Sequence, residues 1–401
     1  MNGGAWNQTE YSDEGISVVR VTDINDETVD LTKCKFLPKS ALEKYVKHIL
    51  ESGDLVICTV GSHPTQPGSV VGRAAVMPPA VRGALLNQNA VRIRSASLEV
   101  DQGWLGYFGR SKTFHDYIIS CAKGSANQVR MAIGLLKEMP VAVPPLPEQR
   151  RIAGILSAYD ELIENSQRRI QILESIARAI YREWFVHFRF PGHETHSRVA
   201  SLLGEIPKGW KVKKLDDLVT HNSRTTRPGH HLDEKRYVPI DCLPSKSLAL
   251  LEVKPIEDAQ SSLQLFEKGD ILFGAMRPYF HKVVVAPFEG VTRATCFVFK
   301  PKHPEWHAFA VMTMFDETTV AYANVHSRGA TIPYAVWRGS LSNMPLILPS
   351  TDVLQKFEEA IAPMLLLLTQ SFFTLGNLRR TRDLLLPRLL SGQINLETNQ
   401  P

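Results

Sequence analysis

The feature of this sequence that most constrains its fold is an internal repeat. The segment from Lys123-Gly124-Ser125 to Ile152 aligns without a gap on the segment from Arg328-Gly329-Ala330 to Phe357, at a constant shift of 205 residues (Gly124 to Gly329). The identities continue through Gly134, Leu136, Met139, Pro140 and Pro144, which meet Gly339, Leu341, Met344, Pro345 and Pro349. A chain of 401 residues is too long for one hydrophobic core, and the repeat divides it into two similar units. Two similar binding faces suit the recognition of a bipartite target.

A second pair of matching signals lies upstream of this block. Gly53-Asp54 precedes the apolar run Leu55–Cys58, and Gly269-Asp270 precedes Ile271–Phe273. Glycine tolerates positive φ and aspartate bonds its own backbone, so both pairs predict a turn into a buried strand. The second unit also begins with a preface, Gly204 to Trp210, that has no counterpart before Ile16. We expect either an upstream start or another segment that completes the first unit.

Each unit leads into a predicted long amphipathic helix. The first runs from Pro147 to about Phe188, and the second from about Asp352 to Leu390, with Ser391-Gly392 as its end. About 40 residues at roughly 1.5 Å each make a rod of about 60 Å. The predicted apolar stripe of the first helix is Ile152, Ile155, Tyr159, Leu162, Ser166, Ile170, Leu173, Ile176, Ile180 and Trp184. Pro363 is expected to kink the second helix or to shift its start.

These stripes need partners, and two arrangements meet that need. In one, the two rods pack on each other in antiparallel fashion, with one globular unit at each end. In the other, each rod packs on its own globular unit. The length and regularity of the stripes favour the paired arrangement.

The motifs that would give this chain a chemistry of its own are absent from the sequence. It has no Walker-type phosphate loop, no G-x-S-x-G, no H-E-x-x-H and no Asn-Pro-Pro-aromatic methyltransferase loop. The five scattered cysteines form no C-x-x-C pair, which indicates a reducing cytoplasm. The longest apolar run, Met364 to Leu368, is too short to cross a membrane. A nuclease or methyltransferase is the alternative from another class, and Leu232–Lys235 is its only support.

Glycine-containing polar loops are the candidate DNA contacts, although ordinary polar turns have the same composition. Such loops let backbone N–H groups and side chains approach phosphates and base edges, and a net charge of +5 permits this. The candidate residues are Lys123, Ser125, Asn127, Gln128 and Arg130 in the first unit, and Arg224, Thr225, Arg227, Arg328, Thr331 and Tyr334 in the second.

Three strings around the first helix resemble a known family. They are Pro144-Pro145-Leu146-Pro147-Glu148-Gln149-Arg150, Asp160-Glu161-Leu162-Ile163-Glu164-Asn165 and Tyr181-Arg182-Glu183-Trp184-Phe185-Val186-His187-Phe188-Arg189-Phe190-Pro191-Gly192. They resemble the central conserved region of type I restriction–modification specificity subunits. Gly204 to Trp210 is similar to the start of that family's second target recognition domain, and Leu389 to Ile394 is similar to its C-terminal ending.

The resemblance implies an α+β protein with two similar target recognition domains and two long antiparallel helices as a coiled-coil-like spacer. It places these at residues 1–146 and 191–350 (recognition domains), 147–190 and 351–392 (helices) and 393–401 (tail). It implies a non-catalytic subunit that reads a bipartite site on double-stranded DNA and binds no cofactor itself.

The resemblance also implies partner subunits. Two methylation subunits carry S-adenosylmethionine, and motor and endonuclease subunits use ATP and Mg. Docking is expected at Arg168, Arg169, Tyr181, Trp184 and Phe185. Because the first unit lacks the preface, a silent or truncated cassette that acts only as a protein-interaction scaffold stays open as the alternative function.

Overall fold

The chain divides by its internal contacts into two units. In the computed structural model, which describes residues 1–25, 29–62, 69–125, 128–329 and 331–394, the first unit comprises residues 1–161 together with the chain from Arg380 onward. The second comprises residues 162–379. The boundaries between the units, at residues 161/162 and 379/380, fall inside the two long helices. Each unit therefore contains one globular part and one end of each long helix. The domain boundaries drawn from the sequence stay a prediction.

The first unit combines small sheets with short helices. Its strands are β1 (Ile16–Val19), β2 (Lys35–Leu37), β3 (Leu55–Cys58), β4 (Val60–Gly61), β5 (Ala74–Val76), β6 (Leu85–Leu86), β7 (Ala90–Ile93), β8 (Ala122–Ser125) and β9 (Gln128–Met131). They form three sheets with the orders β2-β1-β6, β5-β3-β7 and β4-β9-β8. The helices of the globular part are α1 (Ala41–Tyr45), α2 (Gln102–Gly109), α3 (Lys112–Ser120) and α4 (Ile133–Lys137), and the long helix α5 (Leu146–Tyr181) begins in this unit.

The second unit has two larger sheets. Its strands are β10 (Arg198–Ser201), β11 (Gly204–Pro207), β12 (Lys211–Lys214), β13 (Val219–Asn222), β14 (Thr225–Thr226), β15 (Arg236–Tyr237), β16 (Leu263–Phe266), β17 (Ile271–Gly274), β18 (Val283–Val285), β19 (Gly290–Arg293), β20 (Cys296–Pro301) and β21 (Pro345–Leu348). The four-stranded sheets have the orders β13-β20-β17-β18 and β14-β16-β19-β15, and β10-β11 and β12-β21 are two-stranded. The helices are α6 (Leu215–Leu218), α7 (His307–Phe315), α8 (Glu317–Val325) and the long α9 (Thr351–Leu390). The predicted α+β fold class is confirmed.

Both Gly-Asp turns have the predicted structure. Gly53 and Gly269 have φ values of +87° and +89°, and each is followed by a fully buried strand, β3 or β17. The buried carboxylates of Asp54 and Asp270 accept the backbone N–H three residues earlier at 2.8 Å in both units. The same turn chemistry therefore starts the central strand of each unit.

The repeat extends further upstream in structure than in sequence. Helices α2 and α7 begin 205 residues apart, at Gln102 and His307, and α3 and α8 correspond at the same shift. The long helices obey it too, since α5 begins at Leu146 and α9 at Thr351. The start of α9 is therefore not shifted by Pro363, whose position inside the helix is exposed. The α-helical part of α5 ends at Tyr181, earlier than the predicted Phe188, because a π-helical turn follows at Arg182–Val186.

The buried stripe of α5 includes the predicted Ile152 and Ile170 but differs from the prediction at two places. Leu162 and Ile176, predicted to be inside, are 51% and 41% exposed, whereas Ile163 and Ala177 are buried. The buried column is Gln149, Leu156, Ile163, Ile170 and Ala177, at steps of seven residues. A seven-residue repeat is the period of a coiled-coil seam, and in this sequence apolar residues stand next to each other at positions 162 and 163, so the pattern alone left two candidate faces.

The long helices pack on each other within each unit. In the first unit, Ile152 and Leu156 of α5 form one buried cluster with Leu389, near the end of α9. In the second, Ile163, Ile170 and Ala177 share a cluster with residues of α9, namely Ile361, Leu365, Leu368 and Leu375. The pairing is antiparallel in both, because the start of one helix meets the end of the other. Burial of each Leu or Ile side chain contributes about 1.5–3 kcal/mol.

The preface of the second unit contains β11 and leads into β12. β12 pairs in antiparallel register with β21, with Lys211 opposite Leu348. The corresponding segment of the first unit, residues 140–143, forms no strand, and its Val141 and Val143 side chains are partly exposed. The two units therefore differ at this edge, as the sequence comparison predicted.

By length and composition alone, one described helix, α9, is apolar enough to cross a membrane. The prediction from the run Met364 to Leu368 considered only uninterrupted apolar residues and therefore did not identify this helix. The apolar residues of α9 have another explanation, because Leu365, Leu368 and Leu375 are buried against α5. One such helix is weak support for a membrane protein.

Candidate nucleic-acid interface

A tight hairpin at residues 328–334 brings together three predicted DNA contacts. Arg328 and Tyr334 exchange backbone hydrogen bonds of 2.8 and 2.7 Å. Gly329 makes the turn with a φ of +98°, where an added Cβ would lie 2.6 Å from a backbone oxygen. Arg328 and Thr331 are exposed and Tyr334 is half-buried. The turn therefore presents a cation, a hydroxyl and a phenol on one short loop.

A second loop packs beside this hairpin, and sequence reasoning did not find it. The Arg277 N–H donates to the carbonyl of Pro333 at 2.8 Å, and Arg277 has a left-handed φ of +50°. Tyr279 and Phe280 follow it with 50% and 44% of their surfaces exposed, and their ring centroids are 4.7 Å apart. Left-handed conformations of residues other than glycine cost about 1–3 kcal/mol and cluster at functional sites. The signal in the sequence was an arginine and two aromatic residues around Pro278.

The first unit has a strand pair where the second has a single bridge. β4 follows the buried strand β3 and pairs with β9, with Val60 opposite Arg130. In the second unit the bridge between Met276 and Tyr334 follows β17 in the same way. The predicted contacts Lys123 and Ser125 lie on β8, Gln128 and Arg130 lie on β9, and Arg130 is exposed. Asn127 lies outside the described residues.

The remaining predicted contacts lie in a different cleft. The side chain of Arg224 bonds Glu267 at 2.5 Å, Lys300 bonds the same carboxylate at 2.8 Å, and the cleft around them has a volume of about 900 Å³. Hydrogen bonds from Lys300 and then Arg224 lower the pKa of Glu267 to about 2. Thr225, on β14, and Arg227 are exposed nearby in sequence.

The cleft and the hairpin are separate sites. Glu267 precedes β17 and Met276 follows it, so the two sites lie at opposite ends of that strand. Five strand steps from Asp270 to Ala275 at about 3.3 Å each span roughly 17 Å. The predicted residues Arg224, Thr225 and Arg227 therefore lie apart from Arg328 within the second unit.

Two of the five predicted docking residues lie inside the protein. Tyr181 and Phe185 are 9% and 8% exposed, and Phe185 packs edge-to-face on Phe309 and Phe357 at 4.8 and 4.7 Å. Their role as surface contacts is wrong, because a core of aromatic rings covers them. Trp184 is half-buried.

The two arginines of the predicted docking set do lie on the surface of α5. Arg168 and Arg169 are exposed. Arg168 pairs with Glu164 at 3.1 Å, one helical turn earlier. Such exposed pairs within a helix add little to stability, so both guanidinium groups are accessible to a partner.

Buried polar side chains anchor each globular part on the long helices. In the first unit the amide of Gln149, at 0% exposure, accepts from the Asp101 N–H at 2.8 Å and donates to the carbonyls of Glu99 and Pro144 at 2.8 and 2.7 Å. Asp160, on the same helix, accepts from Tyr107 at 2.8 Å. Hydrogen bonds of this kind are costly to leave unmade, so they fix where the helix meets the sheets.

The second unit uses two carboxylates for the same purpose. Glu174 accepts hydrogen bonds from the segment Ser247–Ala249, the shortest at 2.7 Å. Glu358, on α9, accepts the backbone N–H of Ala308 at 2.6 Å, in the first turn of α7. A carboxylate at a helix N-terminus is favourable, but burial outweighs it and raises the pKa of Glu358.

In the part of the chain that the structure describes, no side-chain cluster supports a metal-binding site. There, no group of three His, Cys, Asp or Glu side chains is placed to hold a metal ion. His193 and His196, near the end of α5, bond backbone carbonyls through their Nδ1 atoms at 2.9 and 3.0 Å.

Comparison with known proteins gives one consistent result. Residues 2–175 match a family model described as the type I restriction modification DNA specificity domain. The type I restriction enzyme MjaIX specificity subunit of Methanocaldococcus jannaschii is 27% identical over 310 residues, which are 73% of this chain and 69% of that protein. The putative MjaX specificity subunit of the same organism is 28% identical over 204 residues, 50% of this chain and 45% of that one.

A solved structure shares the fold. The crystal structure of a type I restriction–modification S subunit from M. genitalium superposes with a TM-score of 0.55 at 15% identity, over 97% of this chain and 92% of that one. The two-unit architecture, the paired long helices and the sequence relatives agree with one another. By sequence, this chain is similar to type I restriction–modification specificity subunits, and it shares the fold of a solved S subunit.

Proposed function

We propose that this chain is the DNA-recognition subunit of a type I restriction–modification complex and reads a bipartite site on double-stranded DNA. Residues 1–146 and 191–350 are the two target recognition domains, and each reads one half of the site. The observation that carries this proposal is the duplication itself: both units present a short β-ladder segment beside the strand that follows the Gly-Asp turn. The paired helices act as a ruler between them.

In the second domain the hairpin and its neighbouring loop make the contacts. Arg328 and Thr331 donate hydrogen bonds to base edges or phosphates, which suits their exposure. Tyr279 and Phe280 provide exposed aromatic surface for apolar contact in a groove. In the first domain the corresponding contacts come from Lys123, Ser125, Asn127, Gln128 and Arg130.

The Arg224 cleft contributes phosphate contacts. Arg224 and Lys300 share one carboxylate, so together with Glu267 they carry a net positive charge. Arg227 and Thr225 extend the same surface. Contacts of this type fix orientation on the duplex and weaken as salt rises.

The chemistry belongs to partner subunits. Two adenine-methylation subunits bring S-adenosylmethionine, and motor and endonuclease subunits bring ATP and Mg, while this chain binds no cofactor. Arg168 and Arg169, with the half-buried Trp184, supply the docking surface on α5. The complex works in the cytoplasm, where its DNA lies.

A genome-wide map of adenine methylation tests this function. Cells carrying the chain and its neighbouring methylation subunit are compared with cells that lack only this chain. We expect one bipartite motif that depends on the chain. A scaffold that does not read DNA would leave the two maps identical, and that result with both proteins soluble refutes the proposal. Methyl transfer by the purified chain alone would refute its non-catalytic role.

A further inference from the structure

The buried column of α9 contains one charged residue. Its members occur every seven residues, and those buried are Leu354, Ile361, Leu368, Leu375, Arg382 and Leu389. Leucine and isoleucine are interchangeable in such a seam, so the apolar positions alone define the register weakly. A single buried polar residue in a heptad seam is the best-attested way in which proteins fix register.

Arg382 has a specific partner in the same unit. Its guanidinium donates to Asp160 Oδ1 at 2.8 Å, across 222 residues of sequence, and its side chain is 8% exposed. The other oxygen, Asp160 Oδ2, accepts from the Tyr107 hydroxyl at 2.8 Å and from Arg110 at 3.0 Å. One carboxylate on α5 therefore joins α9 to the globular part of the first unit.

The charges around Asp160 keep it ionised. Burial by itself raises the pKa of this carboxyl, but Arg110, Arg382 and the Tyr107 hydroxyl outweigh it, and the net shift is downward. Arg382 also pairs with Asp383 on its own helix, at 2.9 Å. The network is therefore a set of compensated charges at the edge of the helix pair.

A slide of α9 along α5 would break this network. A shift of one heptad would place Leu375 or Leu389 opposite Asp160, where neither donates a hydrogen bond. The carboxylate would lose one cation in a partly buried position, whereas at Ile361 and Leu368 one leucine or isoleucine of the column would take the place of another. Loss of one partner from such an ion pair is unfavourable, so in the first unit this contact favours one register, as the packing of Phe357 does in the second.

We propose that Asp160 and Arg382 fix the register of α9 on α5, and that this register determines the number of base pairs between the two DNA half-sites. They are positioning residues, since they act through the packing of α9 on α5. This inference rests on the proposed function, because it names what sets the spacing that the two recognition domains read.

The test is a methylation map of the full chain with its methylation subunit, for four variants. Arg382→Leu removes the charge and keeps an apolar side chain in the seam. Asp160→Asn removes the charge with almost no change of volume, and Arg382→Lys keeps a cation within reach. Arg388→Leu is the matched control, because it makes the same substitution at an exposed position of α9.

We expect both half-site sequences to persist in Arg382→Leu and Asp160→Asn. A slip of one heptad moves the helices by about 10 Å, or roughly three base pairs, and methylation at sites whose spacer differs by that number should rise at least tenfold. Arg382→Lys and Arg388→Leu should keep a single spacer length. A merely structural role would lower methylation at the normal spacer without new spacers, and that result overturns the proposal.

An unchanged single spacer in Arg382→Leu also overturns it. If Arg382→Leu does not accumulate as folded protein, Asp160→Asn decides by the same two criteria. Failure of the proposed function has a different signature, since the unaltered chain would then yield no bipartite motif at all.

Discussion

A paired insertion in the two long helices tests whether they act as a ruler. Four residues with high helix propensity are inserted after Asn165 in α5 and four after Gly376 in α9. Both positions are exposed. They lie between the anchors of the first unit, at Asp160 and Arg382, and those of the second, so the insertion breaks neither set. An insertion after Glu174 would be a worse choice, because that carboxylate bonds Ser247–Ala249.

The expected change follows from helix geometry. Four residues at about 1.5 Å each lengthen a helix by roughly 6 Å. A base pair occupies about 3.4 Å along the duplex, so the added length is about 0.8 Å short of two base pairs. Four residues also turn a helix by about 40° beyond a full turn, close to the roughly 35° between successive base pairs. Coiled coils absorb a four-residue insertion by local unwinding.

The assay is the methylation map. We expect both half-site sequences to be unchanged and the spacer to grow, by one base pair if the added rotation decides and by two if the added length decides. The same four residues inserted after Leu202, which is 95% exposed in the β10–β11 turn, should leave the spacer as it was. An unchanged spacer in the paired insertion, in a complex that still methylates its motif, would refute the ruler argument.

Three further predictions follow from single contacts. Gln149→Leu leaves buried backbone groups without partners and should lower the free energy of unfolding by about 1–3 kcal/mol in urea titrations, while Gln355→Leu, at an exposed position, should change it little. Burial raises the folded-state pKa of Glu358 above the ordinary value for a glutamate, so its contribution to the free energy of unfolding is fully present below that ordinary value and is lost as pH rises through the folded pKa. The unfolding temperature of the wild type, measured from pH 4 upward, should therefore fall relative to that of Glu358→Gln. Equal dependence of the two unfolding temperatures on pH would contradict this. Replacing Tyr279 and Phe280 together by Ala should weaken binding to duplexes containing the motif tenfold or more, about 1.4 kcal/mol, without loss of thermal stability.

Local patterns in the sequence predicted much of the fold. The Gly-Asp turns at Asp54 and Asp270 depend on residues within three positions of each other, so their chemistry is visible in the sequence. The long helices were predicted almost to the residue at their starts, since α9 begins at Thr351 and proline marks the first turn of α5. The segment at Arg328 was found by the same route, through its glycine and its repeat.

The candidate interface was predicted only in part. Arg328, Thr331 and Tyr334 came from the repeat, but the loop with Tyr279 and Phe280 has no sequence signal that links it to them. The link is a backbone bond between Arg277 and Pro333, across a turn that depends on how β17 leaves its sheet. Arg224 shared the composition of a DNA-binding loop but lies at the other end of that strand.

The sequence by itself determined that this protein is a duplicated α+β chain with two long helices, because repeats, turn residues and helical periodicity are local. Tertiary structure alone decided that Ile163 and not Leu162 faces the seam, and that Tyr181 and Phe185 are covered by aromatic rings. It also brought Arg382 to Asp160. The physical reason is that an apolar or charged side chain is compatible with several faces and partners, and only close packing with residues distant in sequence selects one of them.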